Sequence, residues 1–189
     1  PYYDSYRACV AMSGATPRFV TLRPPDFAVT EAALRAVFSD RTRAILINTP
    51  HNPTGKVFTR AELELIARLC KEHDVLAITD EVYERLVFHG QHLSLAAFPG
   101  MRERTVTISG LSKTFSCTGW RLRHAIAPPE ETAAIREVHD FLTVGAPAPL
   151  QEGGAVGLAF GPDYYNQMAL DYRERRDTNR AAKRAIAAE

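Results

Sequence analysis

Short apolar runs rich in β-branched residues alternate along this chain with longer stretches whose apolar positions recur every three or four residues. The first pattern predicts strands and the second predicts helices packed on one face. Strands are expected at Arg18–Leu22, Ala44–Asn48, Val75–Asp80, Thr105–Ser109 and Arg121–Ala127. Helices are expected from Thr30 to about Phe38, from Thr59 to about His73, from Pro129 to about Phe141 and from Pro149 to about Phe160. A long polar helix should follow Gly161-Pro162 and run to the end of the chain. Thr59 and Glu62 have the spacing of a capping box, in which each side chain satisfies a backbone N–H at the other residue. Leu63, Leu65, Ile66 and Leu69 then line the inner face of that helix. The order of elements predicts an α/β fold with a largely parallel sheet flanked by helices.

Composition narrows the functional classes. The chain has 189 residues, 46% hydrophobic and 24% charged, which is ordinary globular usage. Its 23 Lys and Arg against 22 Asp and Glu leave a net charge of +1, so no bulk field draws it to nucleic acid or to an anionic membrane. No run of 18 apolar residues exists to span a bilayer. Cys9, Cys70 and Cys117 are sparse and form no CxxC pair, which points to reduced thiols and a cytoplasmic protein. The six histidines show no metal-ligand spacing. The chain opens on Pro1-Tyr2-Tyr3 and closes on Ala187-Ala188-Glu189 inside a helical pattern, and it is expected to be an internal piece of a longer protein.

Ligands of open α/β sheets gather at the carboxyl ends of the strands. Three predicted strand ends carry chemistry: Asn48 leading into Asn52-Pro53-Thr54-Gly55, Asp80 with Tyr83 beyond it, and Ser109 followed by Gly110-Leu111-Ser112-Lys113. A lysine in a small, hydroxyl-rich turn is suited to attack an aldehyde. A phosphorylated aldehyde cofactor such as pyridoxal phosphate needs such an amine and a carboxylate at its ring nitrogen. It also needs donors at its ring oxygen, and cationic and hydroxyl groups at its phosphate. Lys113, Asp80, Tyr83 with Asn52, and Arg121 match those needs in turn.

On these motifs the chain resembles the class I/II (fold type I) pyridoxal-phosphate aminotransferases, and within them the kynurenine/glutamine-type and methionine branch. The matching stretches are Pro1–Tyr6, Asn48–Phe58, Thr79–Tyr83, Ser112–Phe115 and Thr118–Arg121, with 28 residues from Asn52 to Asp80 and 8 from Lys113 to Arg121. The resemblance implies that Lys113 holds the cofactor as an internal aldimine and, once substrate displaces it, carries the proton between substrate and cofactor. It implies that Asp80 pairs with the pyridine nitrogen. It implies that Tyr83 and Asn52 bond the ring oxygen and lower the imine pKa, with Asn52 also touching the substrate carboxylate. Arg121, Ser109 and Ser112 would hold the phosphate, and Tyr3 would stack on the ring. Residues 1–162 would be part of the large cofactor-binding domain, and 163–189 a helix leading to a small C-terminal domain. The partners implied are an amino acid, a 2-oxo acid and a second copy sharing the active site, so residues 1–189 alone are expected to be inactive.

Two departures from the family pattern stand beside the lysine, with a milder one at Cys117, where an aliphatic residue or Ala is commoner. Gly110 replaces a common phosphate-binding Ser, and Arg123 stands where Gly or Ala is usual. Two other readings share the same residues: a carbon–sulfur β-lyase using the same cofactor, and the aminotransferase-like sensing domain of a transcription regulator. Unassigned residues have plainer expected roles. Trp120 should pack, His51 should belong to a turn, and Arg173, Arg175, Arg176 and Arg180 should form a solvated helix face.

Overall fold

The computed structural model describes residues 1–186. Four strands, β1 (Ala44–Asn48), β2 (Leu76–Asp80), β3 (Thr105–Gly110) and β4 (Arg123–Ile126), form one sheet in the order β1-β2-β3-β4. The first three are parallel, with Asn48 opposite Asp80 and Asp80 opposite Ile108. β4 runs antiparallel to β3 and sets Arg123 opposite Gly110. The register brings the carboxyl ends of β1, β2 and β3 to one edge, which holds all three predicted chemical turns.

Helix α1 (Ser5–Met12) and helix α2 (Glu31–Arg35) precede the sheet. Thr30 caps α2 as expected, its hydroxyl accepting from Ala33 N–H at 3.3 Å. The helix ends at Arg35 rather than near Phe38, because Val37 N–H bonds Leu34 C=O in a tighter three-residue step. Helix α3 (Arg60–Glu72) joins β1 to β2 and has both halves of the capping box. Its Leu63, Ile66, Leu69 and Cys70 are buried against Ile47, Val75 and Ala77, and Leu65 packs at the margin of this core.

Glu62 does more than cap. Its Oε2 accepts from Thr59 N–H at 2.8 Å, while its Oε1 accepts from Lys56 Nζ and Val29 N–H, each at 2.8 Å. Burial pushes this carboxyl up, but the bonds from Lys56, Thr59 and Val29 outweigh it and hold the group below its usual range. Glu62→Gln leaves the Lys56 ammonium buried without a counter-charge, and a loss of about 3 kcal/mol in urea unfolding is expected. A carboxyl with a lowered folded-state pKa stabilises above its unfolded value of about 4.3 and loses that contribution as pH falls. The gap between wild type and variant should therefore be full at pH 7 and close in acid.

Beyond β3 the chain forms a short helix α4 (Leu111–Thr114), a single 3₁₀ turn at Thr118–Trp120, and then β4. The predicted strand at Arg121–Ala127 is shorter because Arg121 has a left-handed backbone (φ 57°), which cannot continue a strand. Helices α5 (Pro129–Leu142), α6 (Ala148–Leu158) and α7 (Pro162–Ile186) complete the described chain. Residues 187–189, over which the pattern also predicts helix, lie outside the described residues.

Two expectations are corrected. Arg18–Leu22 forms no strand and joins no sheet. Its alternation tucks Val20 and Leu22 against the core while Arg18, Phe19 and Thr21 stay exposed, so the pattern is satisfied without a pairing partner. The second is the solvated Arg face expected of helix α7, which packs along part of its length. Tyr164 donates to Thr114 C=O at 3.0 Å and stacks on Phe115, and Met168 is buried. Arg176 lies over the Phe88 ring with its centre 4.8 Å from the ring centroid, so it is not part of a solvated face.

Candidate active site

The site begins with Asn48, the last residue of β1. Its Nδ2 donates to Asp80 C=O at 2.9 Å, and its Oδ1 accepts from Asn52 N–H at 2.7 Å. One buried amide thus joins two strand ends and sets the start of the next turn. That turn closes on itself: His51 N–H bonds Lys56 C=O, and Gly55 N–H bonds His51 C=O. Gly55 takes a left-handed φ of 73°, where a Cβ would be strained. His51 Nδ1 lies 2.7 Å from Thr54 Oγ1, the turn role expected of it. Burial lowers its pKa below the usual histidine value.

Asp80 ends β2 with 8% of its surface exposed. Its Oδ1 accepts from Val82 N–H at 3.2 Å and its Oδ2 from the Tyr6 hydroxyl at 2.7 Å. Burial, and then the Asp80 carboxylate, push the Tyr6 phenol far above its usual range, so it remains a donor. Tyr6 was missed by sequence reasoning. It lies in the Pro1–Tyr6 stretch, but nothing local marks a partner 74 residues away. Tyr3, 40% exposed, meets the Tyr6 ring edge-on at 5.5 Å, so it stands one ring from the acid.

Lys113 lies on α4, five residues beyond the β3 position opposite Asp80. Its Nζ is 5.6 Å from the centroid of the Tyr83 ring, and among the described residues it has no carboxylate partner. Helix α6 covers this turn closely: a Cβ on Gly154 would come within 2.7 Å of Leu111 Cδ1. A side chain there would push the helix off the lysine-bearing turn. Trp120, expected to pack, does so on one side only: it is 39% exposed, with its ring 3.0 Å from where a Gly153 Cβ would sit.

The expected phosphate ligands are less gathered. Ser112 is buried, while Ser109 spends its hydroxyl proton on Glu84 Oε1 at 3.3 Å. Arg121 is exposed and donates to Thr118 C=O at 3.3 Å. The two family departures form one contact. A Cβ at Gly110 would lie 3.0 Å from Arg123 Cγ and from Leu122 C=O, so the glycine accommodates the larger residue at 123.

A shielded carboxylate with its own donor, a phenol and an amide at adjacent strand ends, and an amine without a carboxylate partner make a site for a planar cationic ring and an electrophilic carbon.

The family model described as aminotransferase class I and II matches residues 1–186. The human kynurenine–oxoglutarate transaminase 3 is 41% identical over 94% of this chain and 43% of its own length. The probable N-succinyldiaminopimelate aminotransferase DapC of Mycobacterium tuberculosis is 44% identical over 94% of this chain and 45% of its own. The solved structure of the M. tuberculosis N-succinyldiaminopimelate aminotransferase superposes with a TM-score of 0.94 at 43% identity, covering 98% of this chain and 49% of that one. A structure from Escherichia coli with a methionine aminotransferase function gives 0.89 at 38% identity, over 94% of this chain and 47% of that one. The chain therefore spans about half the length of the curated relatives it matches.

Proposed function

The chain belongs to the class I and II aminotransferase family, and from that premise we propose that the protein carrying it moves an amino group from an amino acid to a 2-oxo acid. The enzymes of this family use pyridoxal phosphate. When bound, that group supplies an aldehyde that condenses with amines and a ring that takes up the electrons of a substrate carbanion.

The residues present fit it. Asp80, buried and already bonded by Tyr6, holds the ring-nitrogen proton. Tyr83 and Asn52 donate to the ring oxygen, and Asn52 also meets the substrate carboxylate. Lys113 Nζ would hold the cofactor covalently and would carry the proton of the substrate α-carbon. Arg121 and Ser112 hold the phosphate, with Ser109 joining them by turning its hydroxyl from Glu84. Tyr3 offers an aromatic face to the ring. The observation that carries this reading is the meeting of Lys113 and Tyr83 at the strand-end edge that also holds Asp80.

Residues 1–162 belong, in this reading, to the large cofactor-binding domain, with 163–189 leading to a small domain. The active enzyme is a homodimer, and the exposed Val138, Phe141, Leu142 and Val144 supply apolar surface of the kind two subunits bury. Its location is cytoplasmic, in keeping with three free cysteines and no helix, among the described residues, long and apolar enough to cross a membrane. Aromatic amino acids, glutamine and methionine are the proposed donors.

Mixing the full-length, cofactor-loaded protein with each donor tests the proposal. Without an acceptor, about one oxo acid per site should be released, and turnover should begin when 2-oxoglutarate is added. Continuous release of pyruvate and ammonia from a cysteine conjugate without acceptor would instead establish the lyase.

A further inference from the structure

Asp80 and Glu81 are neighbours at the end of β2, so their side chains leave on opposite faces of the sheet. Glu81 N–H continues the ladder onto Ile108 C=O at 2.8 Å. The Asp80 carboxylate faces Tyr6. The Glu81 carboxylate, on a residue 1% exposed, faces a set of donors that the proposed chemistry does not use. Its Oε1 accepts from Thr79 Oγ1 at 2.9 Å and Ser94 Oγ at 3.0 Å. Its Oε2 lies 2.8 Å from His92 Nε2.

His92 and Ser94 come from the return of the loop that leaves Tyr83. They alternate there with Leu93, which packs on the core, and Leu95, which is fully buried. The apolar pair therefore anchors the segment while the polar pair reaches Glu81. The first turn of the loop is tied as well: Glu84 N–H bonds Glu81 C=O at 2.8 Å, and Leu86 N–H bonds Tyr83 C=O at 2.8 Å. Glu84 then accepts from Ser109, at the foot of the lysine-bearing turn.

His92 Nδ1 is buried and has no partner among the described residues. An orphaned buried polar atom is a cost, and it persists where another contact of the same side chain is required. For this imidazole that contact is the Glu81 carboxylate. Glu81, Glu84 and His92 bring their polar atoms within 4.8 Å of one another. Thr79, Ser94 and His92 already satisfy Glu81.

We propose that Glu81, held by His92 and Ser94, is a positioning residue that fixes the turn from Asp80 to Tyr83, so that the acid would meet the nitrogen and the phenol the oxygen of one bound ring. This rests on the proposed aminotransferase function, because only a ring spanning both groups makes their separation matter.

The test uses the full-length, cofactor-loaded protein and follows the pH midpoint of its visible absorption band. The band should be present in wild type and lost in Lys113→Ala; a wild type without it overturns the functional reading and this inference with it. Given the band, His92→Leu removes the donor to Glu81 and loosens Tyr83. The midpoint should rise by about one pH unit, with kcat falling about tenfold and KM changing far less. His92→Gln replaces the Nε2 donor and lacks the orphaned nitrogen, and it should restore the wild-type midpoint. A purely structural role predicts a lower Tm in His92→Leu with an unmoved midpoint, and that result overturns the proposal. Should His92→Leu fail to fold, Ser94→Ala decides: a smaller rise in the same direction supports the proposal, and an unchanged midpoint contradicts it.

Discussion

Lys113→Ala in the full-length enzyme is expected to lower the rate of transamination by at least about 10⁴-fold. The residue is asked to do two things, and alanine does neither. In the proposed reaction it would form the covalent link, and its freed amine would move a proton at the substrate α-carbon, a general acid–base contribution of about 10²–10⁴ by itself. The surroundings suit that work. The amine lies over the Tyr83 ring and meets no carboxylate among the described residues, so no ion pair competes for it. The variant should fold normally, because the side chain is only half-buried and makes no hydrogen bond among the described residues. Adding a small primary amine should recover part of the proton transfer. A variant that retained full turnover would remove lysine from the mechanism.

Asp80→Asn is the second large effect. A carboxylate at the ring nitrogen keeps that nitrogen protonated, and an amide of the same shape does not. Removing a preorganised charge that acts where charge develops in the transition state costs about 10²–10³ in kcat. The fold should tolerate the change better than the chemistry. Asn keeps an oxygen that can accept from Tyr6 or from Val82 N–H, the two donors that hold Asp80 now. Tyr6→Phe removes one of those donors and leaves the charge, so it should lower kcat by about tenfold at most. Equal losses in Asp80→Asn and Tyr6→Phe would mean that geometry, not charge, is what Asp80 supplies.

How much of this was legible in the chain depended on whether the cause was local. The β1 strand, α3 and β2 announce themselves through apolar runs and the Thr59–Glu62 box, because burial on one face and capping act within a few residues. Strand ends at Asn48 and Asp80, and at Gly110 one residue past the expected Ser109, followed from the same patterns, and so did the shared edge. Long-range pairing was not legible. Asn48 tying Asp80 to Asn52, and Tyr6 reaching Asp80, depend on register that no local spacing encodes. The pairing of Glu81 with His92 needs a loop to return, and apolar anchors at Leu93 and Leu95 hold it there. Arg18–Leu22 shows the opposite failure, since an alternating pattern records burial on one side and says nothing about whether a strand lies alongside. Gly110 and Arg123 looked like two separate departures from the family, and β3–β4 register makes them one contact.

Reduction of the cofactor-loaded, full-length protein with borohydride, followed by proteolysis and mass mapping, locates the reactive amine. A single labelled peptide carrying the pyridoxyl mass on Lys113 is expected. A label on Lys56, Lys71 or Lys183, or no label at all, would contradict that assignment.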